Sequence, residues 1–109
     1  MRGRRFYLQR AGRKDAAHAP IVAALRKAGA SVVDLAGLGV LGVPDLLVGW
    51  QGRCLLLEVK NPGEVARASQ VEWAAKWRGT PVRVVSTPEE AISTLQDAPG
   101  STNAGGPDS

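Results

Sequence analysis

Pro44-Asp45-Leu46-Leu47-Val48-Gly49-Trp50-Gln51-Gly52-Arg53-Cys54-Leu55-Leu56-Leu57-Glu58-Val59-Lys60 is the stretch whose reading decides the fold. Leu46 to Trp50 and Cys54 to Val59 are apolar runs of β type, and Gln51-Gly52 joins them as a two-residue hairpin connection. A two-residue loop fixes the register: Trp50 faces Arg53, Val48 faces Leu55, and Asp45 comes opposite Glu58. A three-residue loop would slip the pairing by one and send Asp45 to the wrong face. Opposed side chains on an antiparallel pair stand with Cβ atoms roughly 4.5–5.5 Å apart, and two carboxylates that close repel unless a proton or cation lies between them.

Strand alternation places the lysine as well. Cys54, Leu56, Glu58 and Lys60 share one face, and Leu55, Leu57 and Val59 share the other. Two acids with a neighbouring ammonium, at the end of an otherwise apolar hairpin, have the composition of a hard-cation site. Oxygen ligands suit Mg²⁺ or Mn²⁺, and Mg²⁺ typically takes one or two carboxylates and fills its remaining positions with water and phosphate.

Working outward, Ile21, Val22, Ala24 and Leu25 recur at helical spacing between Asp15 and Ala28. Pro20 confines the regular helix to a start near Ala19 or Pro20, and Lys27 with Gly29 signals its end. Ser31 to Leu35 reads as a strand. Gly37-Leu38-Gly39-Val40-Leu41-Gly42 is a literal G-x-G-x-x-G, but a dinucleotide site needs a helix opening on those glycines, and here Pro44 and a strand follow. The glycines instead serve a turn and a close backbone approach.

Beyond Lys60, Asn61-Pro62-Gly63 ends the strand. Ser69 to Glu72 has the form of a capping box, opening a helix with Gln70, Trp73 and Trp77 on one stripe and a stop at Gly79. That stripe aims Gln70 at the sheet and assigns both tryptophans to core packing in preference to base stacking. Pro81 to Val85 is a further strand. Thr87-Pro88-Glu89-Glu90 opens a last helix through Ile92 and Leu95. The order is helix, three strands, helix, strand, helix, giving an α/β fold with a mixed sheet flanked by helices. There is no internal repeat.

The chain has 109 residues, enough for one core, and carries a net charge of +4. Arg2, Arg4, Arg5, Arg10, Arg13 and Lys14 all precede the first acid, with Phe6 and Tyr7 among them. Such an arm over residues 1–14 suits a phosphate backbone with bases to stack on, and nucleic-acid contact is preferred over a merely solvated terminus. A folded unit then spans residues 15–96, and the Gly-, Pro- and Ser-rich stretch 97–109 reads as a disordered tail. The single cysteine, Cys54, excludes a disulfide framework and is expected as a small buried hydrophobe. No apolar run matches a membrane span or a signal peptide, so a cytoplasmic location is expected.

Gly42-Val43-Pro44-Asp45-Leu46-Leu47-Val48, then Leu57-Glu58-Val59-Lys60, then Gln70 with Trp73 and Trp77, resembles the VRR-NUC family of the PD-(D/E)xK nuclease superfamily, in its short stand-alone phage and bacterial form. An E-x-K triplet or a Pro-Asp pair alone says little. The joint placement, on opposed strands with Gln70 on the next helix, carries the likeness from about Ala16 to Leu95.

The resemblance implies a restriction-endonuclease-like αβββαβ core and a Mg²⁺- or Mn²⁺-dependent DNA endonuclease, a homodimer acting on branched DNA such as four-way junctions. It implies catalytic roles for Asp45, Glu58, Lys60 and Gln70, with Asp45, Glu58 and the Val59 carbonyl as metal ligands. Lys60 would orient the attacking water or stabilise the phosphate, and Gln70 would hydrogen-bond one of them.

One position departs from the family pattern. An acid expected on the first helix before Ile21-Val22 is replaced by Ala17-His18-Ala19-Pro20, with Asp15 and His18 nearby. His18, at a helix start, reads as an exposed polar residue rather than a ligand. The departure supports a second reading, a nuclease-fold DNA-binding module with weakened or no catalysis. A nucleotide-binding protein resting on the glycine loop ranks last.

Overall fold

In the computed structural model, which describes residues 17–97, Gln51 and Gly52 both take positive φ, 50° and 77°. This is the two-residue hairpin turn whose backbone twist matches that of the flanking strands. The strands it joins are β2 (Leu46–Trp50) and β3 (Arg53–Val59), and they pair antiparallel as Trp50 with Arg53, Val48 with Leu55 and Leu46 with Leu57. The register expected from the loop length is the one found.

Around the hairpin stand α1 (His18–Lys27), β1 (Ser31–Asp34), a short 3₁₀ turn (Ala36–Leu38), α2 (Ala68–Lys76), β4 (Val82–Val85) and α3 (Pro88–Gln96). The sheet order is β1-β2-β3-β4. β1 lies antiparallel to β2, and β4, arriving after α2, lies parallel to β3. This is the expected mixed sheet, and the αβββαβ order holds.

The core sits on one face of the sheet. Val32, Leu46, Val48, Leu55, Leu57 and Val85 from the strands meet Ile21 and Leu25 of α1 and Ala91 and Leu95 of α3. Both helices contribute residues four apart, and the middle strands contribute alternate residues, as each periodicity requires. Pro20 is the third residue of α1, where its missing N–H would have had no intrahelical partner. The helix closes on Gly29 (φ 99°), with Gly29 N–H donating to Arg26 O and Ala30 N–H to Leu25 O, a Schellman ending. At α3, Thr87 Oγ1 accepts from Glu90 N–H (3.1 Å) while Glu90 Oε1 accepts from Ser86 N–H (2.6 Å), with Pro88 first in the helix.

Four expectations need correcting. Cys54 is exposed, because it stands on the sheet face away from the core, near the hairpin end. His18 is buried and lies 3.7 Å from Asp34, so it is a paired interior group rather than an exposed polar one. The second helix starts at Ala68, not after a Ser69 cap: Gln70 is its third residue and accepts the Arg67 N–H (2.9 Å), leaving Glu72 to pair on the surface with Lys76 (3.4 Å). Finally, α2 buries none of its residues, and Trp73 and Trp77 stack on each other outside the core. The helical part of the core comes from α1 and α3, whereas α2 stands by Glu58 and Lys60, which its Gln70 bonds.

The basic arm, Asp15 and positions 98–109 lie outside the described residues. Asp97 is described; its N–H donates to Ser93 O at the end of α3, and its carboxylate lies 3.5 Å from Arg83. Among the described residues no helix is long and apolar enough to cross a membrane.

Gln51 is the single non-glycine residue with positive φ among those described. Asparagine tolerates that conformation better, and Asn-Gly is the preferred pair for this turn. Gln51→Asn is expected to stabilise the fold by about 0.5 kcal/mol, raising Tm by roughly 2–4 °C. Thermal unfolding followed by circular dichroism checks this, and a lowered Tm would contradict the turn assignment.

Candidate active site

Asp45 stands one residue before β2 and is held from two sides. Its main-chain carbonyl accepts the Leu35 N–H (2.7 Å), and its carboxylate Oδ2 reaches across the strand pair to accept the Val59 N–H (2.8 Å). Pro44, fully buried just before it, fixes the backbone entering the strand. The Asp45 carboxylate is therefore pinned at the end of β3, beside the glutamate that the hairpin register brings to it.

Glu58 and Lys60 project from that end of β3 on the face away from the core, each only 5% exposed. Their side chains converge, with Lys60 Nζ 3.5 Å from Glu58 Oε2. Gln70 of α2 closes the arrangement. Its Nε2 donates to Glu58 Oε2 (2.7 Å), and its Oε1 accepts from Lys60 Nζ (2.7 Å). The same oxygen takes the Arg67 N–H, so it faces two donors while the amide nitrogen faces an acceptor. A reversed carboxamide would set N–H groups against N–H groups, so the chemistry of the neighbours fixes its orientation.

Burial dominates the electrostatics of Glu58. It pushes the carboxyl up from 4.5 to about 7, the charge of nearby Asp45 pushes the same way, and Lys60 opposes both. At neutral pH this carboxyl sits poised between holding a proton and holding a charge. An acid pair of this kind is relieved by a cation in place of the shared proton.

The four side chains line an open cleft of about 580 Å³. Its walls are the glycine loop, including Leu41 and Gly42, and the β3–α2 connection, including Asn61, Glu64 and Arg67. Gly42 (φ 84°) explains the glycine run: a Cβ there would lie 2.3 Å from the Ser69 carbonyl oxygen, so only glycine lets this loop touch the start of α2. No nucleotide fingerprint is involved.

Asp45, Glu58, Val59, Lys60 and Gln70, singled out in the sequence, thus come together. The basic residues Arg2, Arg4, Arg5, Arg10, Arg13 and Lys14 lie outside the described residues. No residue of α1 is among those lining the cleft, and His18 is paired with Asp34 instead. Among the described residues no three His, Cys, Asp or Glu side chains gather into a metal cluster, so the closely placed oxygen donors here are the Asp45 and Glu58 carboxylates and nearby backbone, with Glu64 set toward Lys60. That donor set suits a hard divalent ion that keeps water in its shell. Sequence reasoning missed two residues at the site: Arg67 on the cleft wall, and Glu64, whose Oε2 is 4.0 Å from Lys60 Nζ. Both lie in a connection without periodicity, where spacing gives no direction to a side chain.

A solved structure described as a VRR_NUC domain is similar to this chain, with a TM-score of 0.56 and 26% sequence identity over 68% of this chain and 84% of that one. No family model matches the sequence, and no curated protein does.

The sign of the Glu58 shift gives a stability prediction. With its folded-state value near 7 and its unfolded value near 4.5, the folded protein binds the extra proton between those limits. The contribution of Glu58 is therefore full below the lower limit and is lost as pH rises through the upper one. In chelator, Glu58→Gln should gain stability over the parent as pH climbs through that window and level off above it. Urea unfolding at a series of pH values checks this, and a gap that narrows with rising pH would refute it.

Proposed function

We propose that this chain, similar in fold to a VRR_NUC domain and built on a restriction-endonuclease-like core, is a Mg²⁺- or Mn²⁺-dependent endonuclease hydrolysing phosphodiester bonds in branched or otherwise structured DNA. The observation that carries the proposal is the buried Glu58–Gln70–Lys60 network beside Asp45 on the floor of an open cleft. A surface ion pair on a hairpin would have no reason to bury an acid at the cost of its charge.

In this reading Asp45, Glu58 and the Val59 carbonyl hold the divalent ion. When bound, the ion supplies charge for the scissile phosphate and acidifies water in its shell. Lys60 contributes a fixed positive charge. Its ammonium is held by Gln70 and Glu58 and shielded from solvent, so it acts on the phosphate electrostatically at little reorganisation cost. Gln70 bonds both Glu58 and Lys60 and so fixes the geometry of their ion pair. The N–H groups at the start of α2 favour an anion at the same wall. Hydrolysis adds water across the P–O bond, and the leaving oxygen takes up a proton. A homodimer would present two clefts to the two strands of a junction, and the basic arm would follow the phosphates.

One observation favours the second reading, a DNA-binding module with weakened catalysis: α1 brings no acid to the cleft. Incubating labelled four-way junction and linear duplex with Mg²⁺, Mn²⁺ or chelator separates the two. Metal-dependent cutting of the junction is expected, falling at least about a hundredfold in Glu58→Ala. Salt-dependent binding without cutting by the parent protein would leave the binding module standing and the enzyme refuted.

A further inference from the structure

Trp73 and Trp77 are aromatic side chains that the core does not take. Their rings stack with centroids 4.8 Å apart and planes 16° from parallel, and Trp77, the more exposed of the two, remains 47% exposed with Gly79 close against its Nε1 edge. The third tryptophan, Trp50, is by contrast packed against the core, its indole N–H directed at Ala28 O. Exposing an indole face forfeits burial that a residue of this size ordinarily dominates.

The pair is joined to the cleft. The glycine loop reaches it directly, since a Cβ on cleft-lining Gly42 would come 3.0 Å from Trp73 Cβ. Gln70, Trp73 and Trp77 follow one another on a single stripe, and Trp77 ends the run about 10 Å along the helix from Gln70, roughly three stacked nucleotides at 3.4 Å each. From 64 to 80 the exposed charged side chains are Arg67, Lys76 and Arg78 against Glu64 and Glu72, and Lys76 pairs with Glu72 at 3.4 Å, which leaves the two arginines flanking the tryptophans along the chain. A half-exposed indole with arginines near it in the chain is complementary to a base on a phosphate backbone.

We propose that Trp77, backed by Trp73, is a stacking platform for an unpaired base a few nucleotides from the scissile phosphate. The substrate class, resting on the nuclease reading above, is then DNA with a single-stranded or splayed segment beside the cut, not continuous duplex. Duplex bases are already stacked on one another and offer no free face, whereas a junction arm, flap or gap does.

The test uses the full chain in chelator with a dodecamer of thymidylate and a blunt duplex of equal length. The single strand should quench tryptophan emission saturably, and Trp77→Ala should weaken its binding by roughly 5- to 150-fold while duplex affinity moves less than about twofold. Trp77→Phe, which retains a ring, should recover most of the loss. Equal binding of the single strand by parent and Trp77→Ala overturns the platform. So does a parent dimer that Trp77→Ala dissociates in sedimentation, since a second copy would then occupy the face. Failure of cleavage in every metal with the quench intact refutes the nuclease reading alone. Junction cleavage with Trp77→Ala binding the single strand as the parent does refutes the platform alone.

Discussion

The pairing register of one hairpin governs this molecule. Two residues between β2 and β3, both with positive φ, commit Val48 to Leu55 and Leu46 to Leu57 on the core face. By the same alternation Glu58 and Lys60 are committed to the opposite face, where Asp45 meets them. A slip of one residue would carry the leucines out of the core and turn the acids into it, so burial of the apolar residues enforces the geometry of the polar ones. The core does not merely support the site; it selects the register in which the site exists.

The two sheet faces then have different physics. On the core face, α1 and α3 meet the strands with complete apolar burial. On the other face a single helix with no buried residue stands against the strand ends, held by close backbone contact at Gly42 and by the Gln70 carboxamide. Burial without a full apolar cover leaves Glu58 poorly solvated and near a second acid, which is the source of its raised pKa. In the proposed reading a cation between the two acids would offset that cost.

Much of this was legible in the sequence, and for reasons that can be named. Loop length and alternation place Asp45, Glu58 and Lys60. Helical spacing from the tryptophans aims Gln70 at the sheet. Glycine chemistry marks the close approach at Gly42. What failed were inferences from residue type alone. Cysteine and tryptophan are usually interior, yet Cys54 and Trp77 are exposed because their positions face away from the core. Histidine at a helix start is usually solvated, yet His18 is buried against Asp34. The cap of α2 was misread because Ser69-x-x-Glu72 is a stronger local signal than Arg67-x-x-Gln70, and only tertiary contacts with Glu58 and Lys60 make the latter the one that forms. Arg67 and Glu64 had no pattern to betray them.

Gln70 belongs to two structures at once. One oxygen closes the first turn of a helix and also holds a lysine, while the nitrogen beside it holds a glutamate. Glutamate at this position would cap the helix but oppose Glu58, asparagine would fall a methylene short, and an apolar residue would serve neither need. Folding and chemistry, which most proteins distribute over separate residues, here draw on the same carboxamide. Its substitution therefore loosens the first turn of the helix and releases Glu58 and Lys60 in the same stroke.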